Sequence, residues 1–307
     1  MRKDKKRSLR RARQVIVGLV VAALGIGLIV SVTYGHNIPV LNPKGFIADQ
    51  ERNLILITFG LGLIVVIPVF ILLFSIAWKY REGNTKAKYE PEMGGSKKLE
   101  ALWWGIPCAI ILVLAIITGI STHALDPYKP IASSVKPINV EVISLDWKWL
   151  FVYPDQHLAT LNYMNIPKNT PINLQITSDA PMNSFWVPSL AGQVYAMSGM
   201  TTQLHIMADT TGSYNGSSAN ISGKGFAGMH FTVNSMNQSD FTSWAQNSFN
   251  SNQIPLLTGD AYNKLSQPSQ NNPDTTYMLM DNNLYNEVIM KYMSPEVSST
   301  NVPGVNE

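Results

Sequence analysis

Hydropathy along the chain falls into three long apolar blocks followed by a region of short alternating runs. Residues 15–32 are apolar and almost uncharged, about 18 residues long, the lower limit for a helix that crosses a bilayer. Residues 53–78, which include Pro68, and residues 101–121, which include Trp103, Trp104 and Pro107, are longer. They predict a transmembrane helical hairpin with a charged loop, 79–100, between its arms. From residue 137 the pattern shortens to strand-like runs at 138–144, 149–153, 172–177, 203–207 and 229–233. Ile138-Asn-Val-Glu-Val-Ile143 alternates with the period of two expected of a strand with one buried face, and Pro, Gly, Asn and Ser cluster between the runs. Strands that hide one face each predict an antiparallel sandwich.

Helical spacing returns after Asn237. Ser239 is a candidate N-cap, followed by Phe241, Trp244, Ala245 and Phe249 mostly at three- and four-residue steps. In residues 281–293, Leu284, Val288 and Tyr292 lie four apart. The polar stretch 266–276, with Pro268 and Pro273, predicts a surface connection, and 295–307 a flexible tail. The domain division is therefore 1–35 (basic start and first apolar segment), 36–52 (connector), 53–122 (hairpin), 123–236 (sandwich), 237–294 (helical extension) and 295–307 (tail).

Charge adds a direction to this pattern. The net charge is only +3, but every arginine lies at or before Arg81, and Met1 to Arg13 is mostly Lys and Arg. Loop 79–100 carries Lys79, Arg81, Lys86, Lys88, Lys97 and Lys98, whereas beyond residue 122 seven Lys and no Arg face thirteen Asp and Glu. Positive residues stay on the cytoplasmic side, so the amino terminus and this loop belong inside and the carboxyl-terminal domain outside. Trp78, Tyr80, Trp103 and Trp104 flank the loop at the level where aromatic rings favour the membrane interface. A basic cluster directly abutting an apolar segment is a topogenic signal and argues against nucleic-acid binding. Whether the first segment is kept stays open. Its length favours retention, while small Thr33 and Gly35 allow cleavage after Gly35.

Candidate chemistry is sparse. A single cysteine, Cys108, excludes an intrachain disulfide, and there is no phosphate-binding glycine loop, cysteine nucleophile or metal-spaced histidine pair. No catalytic residue is expected in this chain. Met229 and His230 are adjacent, so on a strand they point to opposite faces, and His205 reads as an exposed polar position; with His123 at the outer end of the third block, these gather no ligand set. Asn215-Gly-Ser and Asn220-Ile-Ser are formal glycosylation triplets without further support, and the glycines of Gly223-Lys-Gly-Phe-Ala-Gly228 permit tight turning.

Tyr214-Asn-Gly-Ser-Ser-Ala-Asn-Ile-Ser-Gly-Lys-Gly-Phe-Ala-Gly-Met229 resembles the copper loop of haem-copper oxidase subunit II, Cys-x-Glu-x-Cys-x3-His-x2-Met. Aligned on the last Gly and Met, the cysteines become Ser218 and Ser222, the glutamate Asn220 and the histidine Phe226; Met229 alone remains. The earlier ligand histidine corresponds to Asn183 in Met182-Asn-Ser-Phe-Trp-Val-Pro188. Leu41-Asn-Pro-Lys-Gly45, Thr122-His-Ala-Leu-Asp126, Asp146-Trp-Lys-Trp-Leu-Phe-Val-Tyr-Pro154 and residues 189–200 extend the likeness over 41–233. A dinuclear copper centre needs bridging thiolates, so the resemblance is to the copper-free, quinol oxidase branch of the family, the cytochrome bo-type ubiquinol oxidases.

That resemblance implies a membrane-anchored chain with a cupredoxin-like Greek-key sandwich and C-terminal helices, in a bacterial inner membrane with the sandwich in the periplasm. It implies a proton-pumping quinol oxidase complex in which this chain holds no cofactor, while haems and one copper sit in subunit I, with subunits III and IV as further partners and no cytochrome c. Menaquinol in place of ubiquinol, or a tethered binding module without an oxidase, are the alternatives. The glutamate of Glu100-Ala-Leu-Trp-Trp-Gly-Ile-Pro107 matches the family's carboxylate at the cytoplasmic mouth of a proton path, where Lys97 and Lys98 would tune it. A bland role at the positive end of a helix dipole is the other reading. Trp147 and Trp149 match the segment that receives electrons in copper-bearing relatives; with Lys148 between them and the ligands lost, packing is the expected role. His36 occupies the position of the family's lipidated cysteine, which excludes lipidation there.

Overall fold

The computed structural model describes residues 38–85, 94–251 and 253–293. The expectations for the first apolar segment, for His36, for Lys86 and Lys88 and for the tail 295–307 lie outside the described residues. Residues 38–42 form a turn in which the Leu41 and Asn42 amides donate to the Ile38 carbonyl, each at 3.0 Å. From Pro43 onward the chain forms two long helices, a two-sheet sandwich and a C-terminal extension.

Helix α1 (Phe46–Lys79) and helix α2 (Lys97–Ala124) are long and apolar enough to cross a membrane. Apart from Ala48 their side chains are not buried within the chain, which suits a surface solvated by lipid or by a partner helix. The α1 helix begins seven residues before the apolar block. Those first two turns dock on the sandwich rather than on lipid: the Phe46 amide donates to the Met207 carbonyl (3.3 Å), Ala48 to Leu190 (3.1 Å), and the Glu51 carboxylate accepts from the Gly192 amide (3.0 Å). Ser96 caps α2 by accepting from the Leu99 amide.

The sandwich comprises β1 (Ile138–Leu145), β2 (Lys148–Tyr153), β3 (Leu158–Leu161), β4 (Tyr163–Pro167), β5 (Ile172–Ser178), β6 (Asn183–Trp186), β7 (Val194–Ala196), β8 (Thr202–Ile206), β9 (Gly212–Ser218) and β10 (His230–Met236). Beyond it come α3 (Gln238–Phe249), β11 (Leu256–Leu257), α4 (Gly259–Ser266), β12 (Thr275–Leu279) and α5 (Leu284–Met293). The sheets run β11-β12-β3-β2-β1-β5-β8 and β4-β10-β9-β6-β7. They are mixed rather than purely antiparallel, because β1 pairs with β5 and β10 with β4 in parallel. The C-terminal extension is more than helices, since β11 and β12 continue the larger sheet alongside β3. Helix α3 is preceded by Asn237, and Ser239 lies inside it.

Side chains of β1 and β2 divide between two cores. Val140, Val142, Trp149, Phe151 and Tyr153 face the space between the sheets, with Phe185 and Phe231 stacked at 4.9 Å between centroids. Ile143, Leu145, Leu150 and Val152 face the other way, beneath Leu257, Leu279, Leu284 and Val288 of the extension.

The junction of α1 with the sandwich is close enough to test. A methyl group on Gly45 would lie 2.7 Å from the Met207 carbonyl and 3.0 Å from that of Leu190, both backbone. Gly45→Ala should lower stability by about 1–3 kcal/mol, whereas Gly259→Ala, with open space around it, should be neutral or slightly stabilising as a helix residue. Thermal unfolding of the two variants checks the contrast.

Candidate functional site

Of the positions that align with copper ligands, Asn183, Ser218 and Asn220 lie close together at one end of the sandwich and make neutral hydrogen bonds. The Asn183 amide, at the start of β6, donates to the Ser144 hydroxyl (2.9 Å) and the Pro181 carbonyl (3.3 Å), and its carbonyl oxygen accepts from Ser218 at the end of β9 (2.6 Å). The Asn220 side chain donates to the Met182 carbonyl (2.9 Å), and the Ala219 amide to that of Ser184 (2.9 Å). Met229 is buried in the intersheet core, Phe226 opens a short 3-10 turn, and the Ser222 hydroxyl is buried without a partner.

These donors do not fit a dinuclear copper centre. Amide and hydroxyl oxygens are hard and neutral and cannot bridge two soft ions as thiolates do, and those of Asn183 and Ser218 are already engaged with each other. Among the described residues no three His, Cys, Asp or Glu side chains come together as a metal site. Neutral hydrogen bonds contribute about 1 kcal/mol each, well below the roughly 10 kcal/mol or more that a structural metal supplies. The loops therefore need other support.

Part of it comes from Trp147, whose backbone sits at φ 63°, a rare conformation for a bulky residue. Its indole N–H donates to the Ser222 carbonyl (3.3 Å), and its ring occupies the space that a side chain on Gly225 would need, 2.4 Å from an added methyl. Trp149, by contrast, lies fully in the core against Phe185 and Phe231. Lys148 between them is also buried, on the outer face of the sheet; its ammonium donates to the Gln267 carbonyl (2.8 Å) and the Ser269 hydroxyl (2.7 Å). Burial lowers the Lys148 pKa and the Asp146 carboxylate opposes that; burial likewise raises Asp146, with Lys148 opposing.

Beside this network lies Asp179, its side chain 1% exposed. One carboxylate oxygen accepts from the Tyr262 hydroxyl (2.8 Å), the other from the Lys291 ammonium and the Tyr292 hydroxyl (both 2.7 Å). Burial first, and then the carboxylate, hold both tyrosines above their usual pKa, so they remain donors. Nothing in the sequence pattern linked these residues; the local signal was a lone Asp directly after an apolar strand.

The remaining sequence candidates stand apart. Glu100 is exposed in the first turn of α2, and the His123 Nδ1 lies 2.8 Å from the Gly119 carbonyl in its last. Cys108 is exposed on the same helix. His205 is buried, contrary to its expected exposure: it pairs with Asn173 (2.8 Å) and burial lowers its pKa. His230 is exposed while Met229 is buried, so the two do point apart. On β1, burial beneath the extension pushes the Glu141 carboxyl up to about 7, and one of its oxygens has no hydrogen-bond partner.

Two family models match. Cytochrome C oxidase subunit II, periplasmic domain, matches residues 155–236, and COX Aromatic Rich Motif matches residues 254–296, which include Tyr262, Tyr285 and Tyr292. Among similar proteins, the cytochrome bo(3) ubiquinol oxidase subunit 2 of Pseudomonas putida is 47% identical over 84% of this chain and 82% of its own. The ubiquinol oxidase subunit 2 of Acetobacter aceti is 44% identical over 84% of both chains. The quinol oxidase subunit 2 of Bacillus subtilis is 39% identical over 76% of this chain and 72% of its own.

Glu141 yields a pH prediction. Its pKa is higher folded than unfolded, so the native state keeps a proton that the unfolded chain has released, and stability falls as pH rises from about 4.5 to about 7. Glu141→Gln should flatten part of that slope, seen as a smaller loss of melting temperature between pH 5 and pH 8 than in the parent.

Proposed function

The chain belongs to the quinol oxidase subunit II family, and we propose that it serves its respiratory complex as a copper-free, non-catalytic subunit. The carrying observation is that Asn183, Ser218 and Asn220, at positions that align with copper ligands, are tied to neutral side chains and backbone, and that Ser222 aligns with the second cysteine. Without thiolates or imidazoles there, the outer domain has no means to take electrons from a soluble carrier. A lipid-soluble quinol makes such a relay unnecessary. Quinol releases two electrons and two protons, and dioxygen takes four of each to form water; both half-reactions belong to the partner subunit I, which would hold the haems and one copper. Subunits III and IV complete the assembly in this reading.

The chain's own contribution is assembly, a cover for the outer face of subunit I, and proton delivery. The first turns of α1 dock on the sandwich and α2 leads directly into β1. Both helix ends therefore lie on the sandwich side, and the basic loop on the other. With positive charge retained in the cytoplasm, the sandwich is periplasmic and Glu100 is at the inner surface. An exposed carboxylate there, beside Lys97 and Lys98, can collect protons and pass them toward subunit I.

Two measurements test this. The complex purified through this chain should contain haem and a single copper, and should consume oxygen with ubiquinol; uptake with menaquinol instead would change the quinone. Three coppers with reduced cytochrome c as donor would overturn the copper-free reading. Glu100→Ala should slow turnover at least about tenfold with unchanged haem content and with recovery in Glu100→Asp, and unaltered turnover would remove the proton role.

A further inference from the structure

We propose that the aromatic-rich segment, residues 254–293, is an internal clamp that holds the two loops aligned with copper ligands in place through Asp179. The segment reaches the carboxylate from two helices at once, with Tyr262 on α4 and Lys291 and Tyr292 on α5. The far side of Asp179 leads into the loops. Its amide donates to the Ser144 carbonyl (2.8 Å), the Ser144 hydroxyl accepts from Asn183, and Asn183 accepts from Ser218. The intervening residues are tied as well: Ser178 and Ser198 donate to the Ala180 carbonyl (2.8 and 2.9 Å), and Asn220 to that of Met182.

A metal would fasten these loops by shared ligands. Here Asn183 and Ser218 share one neutral hydrogen bond, and the charge-assisted contacts lie one step outward, at Asp179. A buried carboxylate with three donors favours one arrangement of everything attached to it, since a shift leaves the Asp179 carboxylate, itself 1% exposed, short of partners. Gly199, at φ 72°, lets the β7–β8 turn sit against Tyr292, where a side chain would meet Tyr292 Cβ at 3.2 Å, so the clamp also engages the strand next to β6.

The competing account is that the extension only covers the apolar outer face of β1 and β2. Hydrogen exchange on the purified full complex separates the two, and its readout is independent of metal content. In Lys291→Met/Tyr292→Phe, which keeps the apolar bulk, peptides spanning 179–186 and 216–222 should exchange about tenfold faster, while 230–236 is unchanged. Val288→Ala, a cavity in the covering layer, should instead loosen 284–293 and β1–β2 and leave the loops alone. Unchanged loop exchange in the double variant would overturn the clamp. Should that variant fail to assemble, Tyr262→Phe removes one donor of the three and is read in the same way: faster loop exchange supports the clamp and parent-like exchange overturns it.

Discussion

A β-sheet whose central strands are apolar on both faces has to be covered twice, and that constraint organises the whole sandwich and its extension. Trp149, Phe151 and Tyr153 point one way along β2, and Leu150 and Val152 the other. The second sheet satisfies the first face. The second face would expose a broad apolar patch unless something lay over it, and the extension supplies that cover with Leu257, Leu279, Leu284 and Val288. Lys148, a charged group on the covered face, is paired there, finding a carbonyl and a hydroxyl in residues 267–269.

The same logic explains why the loops at one end of the sandwich keep a defined shape without metal-binding side chains. Asn183, Ser218 and Asn220 are neutral, and each finds a nearby partner at little desolvation cost. Trp147 fills the space beneath the glycines at 223 and 225, and in doing so adopts a backbone conformation that few tryptophans tolerate. An aromatic ring that aligns with an electron-receiving segment here works as a prop.

Much of this was legible in the sequence for reasons that are physical rather than statistical. The two spans are apolar on every side, and strands such as β1 and β5 carry β-branched or aliphatic residues at the spacing a sheet requires. The strand β9 was not legible, because Gly212-Ser-Tyr-Asn-Gly-Ser-Ser218 has little intrinsic preference for extended structure and owes its conformation to β6 and β10 on either side. Likewise β12 begins in a stretch that reads as a polar connection and becomes a strand by pairing with β3. The positions that align with copper ligands could be named from spacing. The network around them could not, since the partners of Asp179 lie 83, 112 and 113 residues away and no local period reports such a meeting.

The early start of α1 carries a mechanical consequence. At 34 residues and about 1.5 Å per residue, the helix is roughly 51 Å long, well beyond the ~30 Å hydrocarbon thickness. Its surplus turns are stitched to the sandwich at Phe46, Ala48 and Glu51. A domain hung from a flexible leash would swivel above the bilayer; one built onto the end of a continuous rod inherits that rod's tilt and rotation. The sandwich is thus aimed by the membrane itself, and whatever sets the angle of α1 among its neighbours also sets which face the sandwich turns toward them.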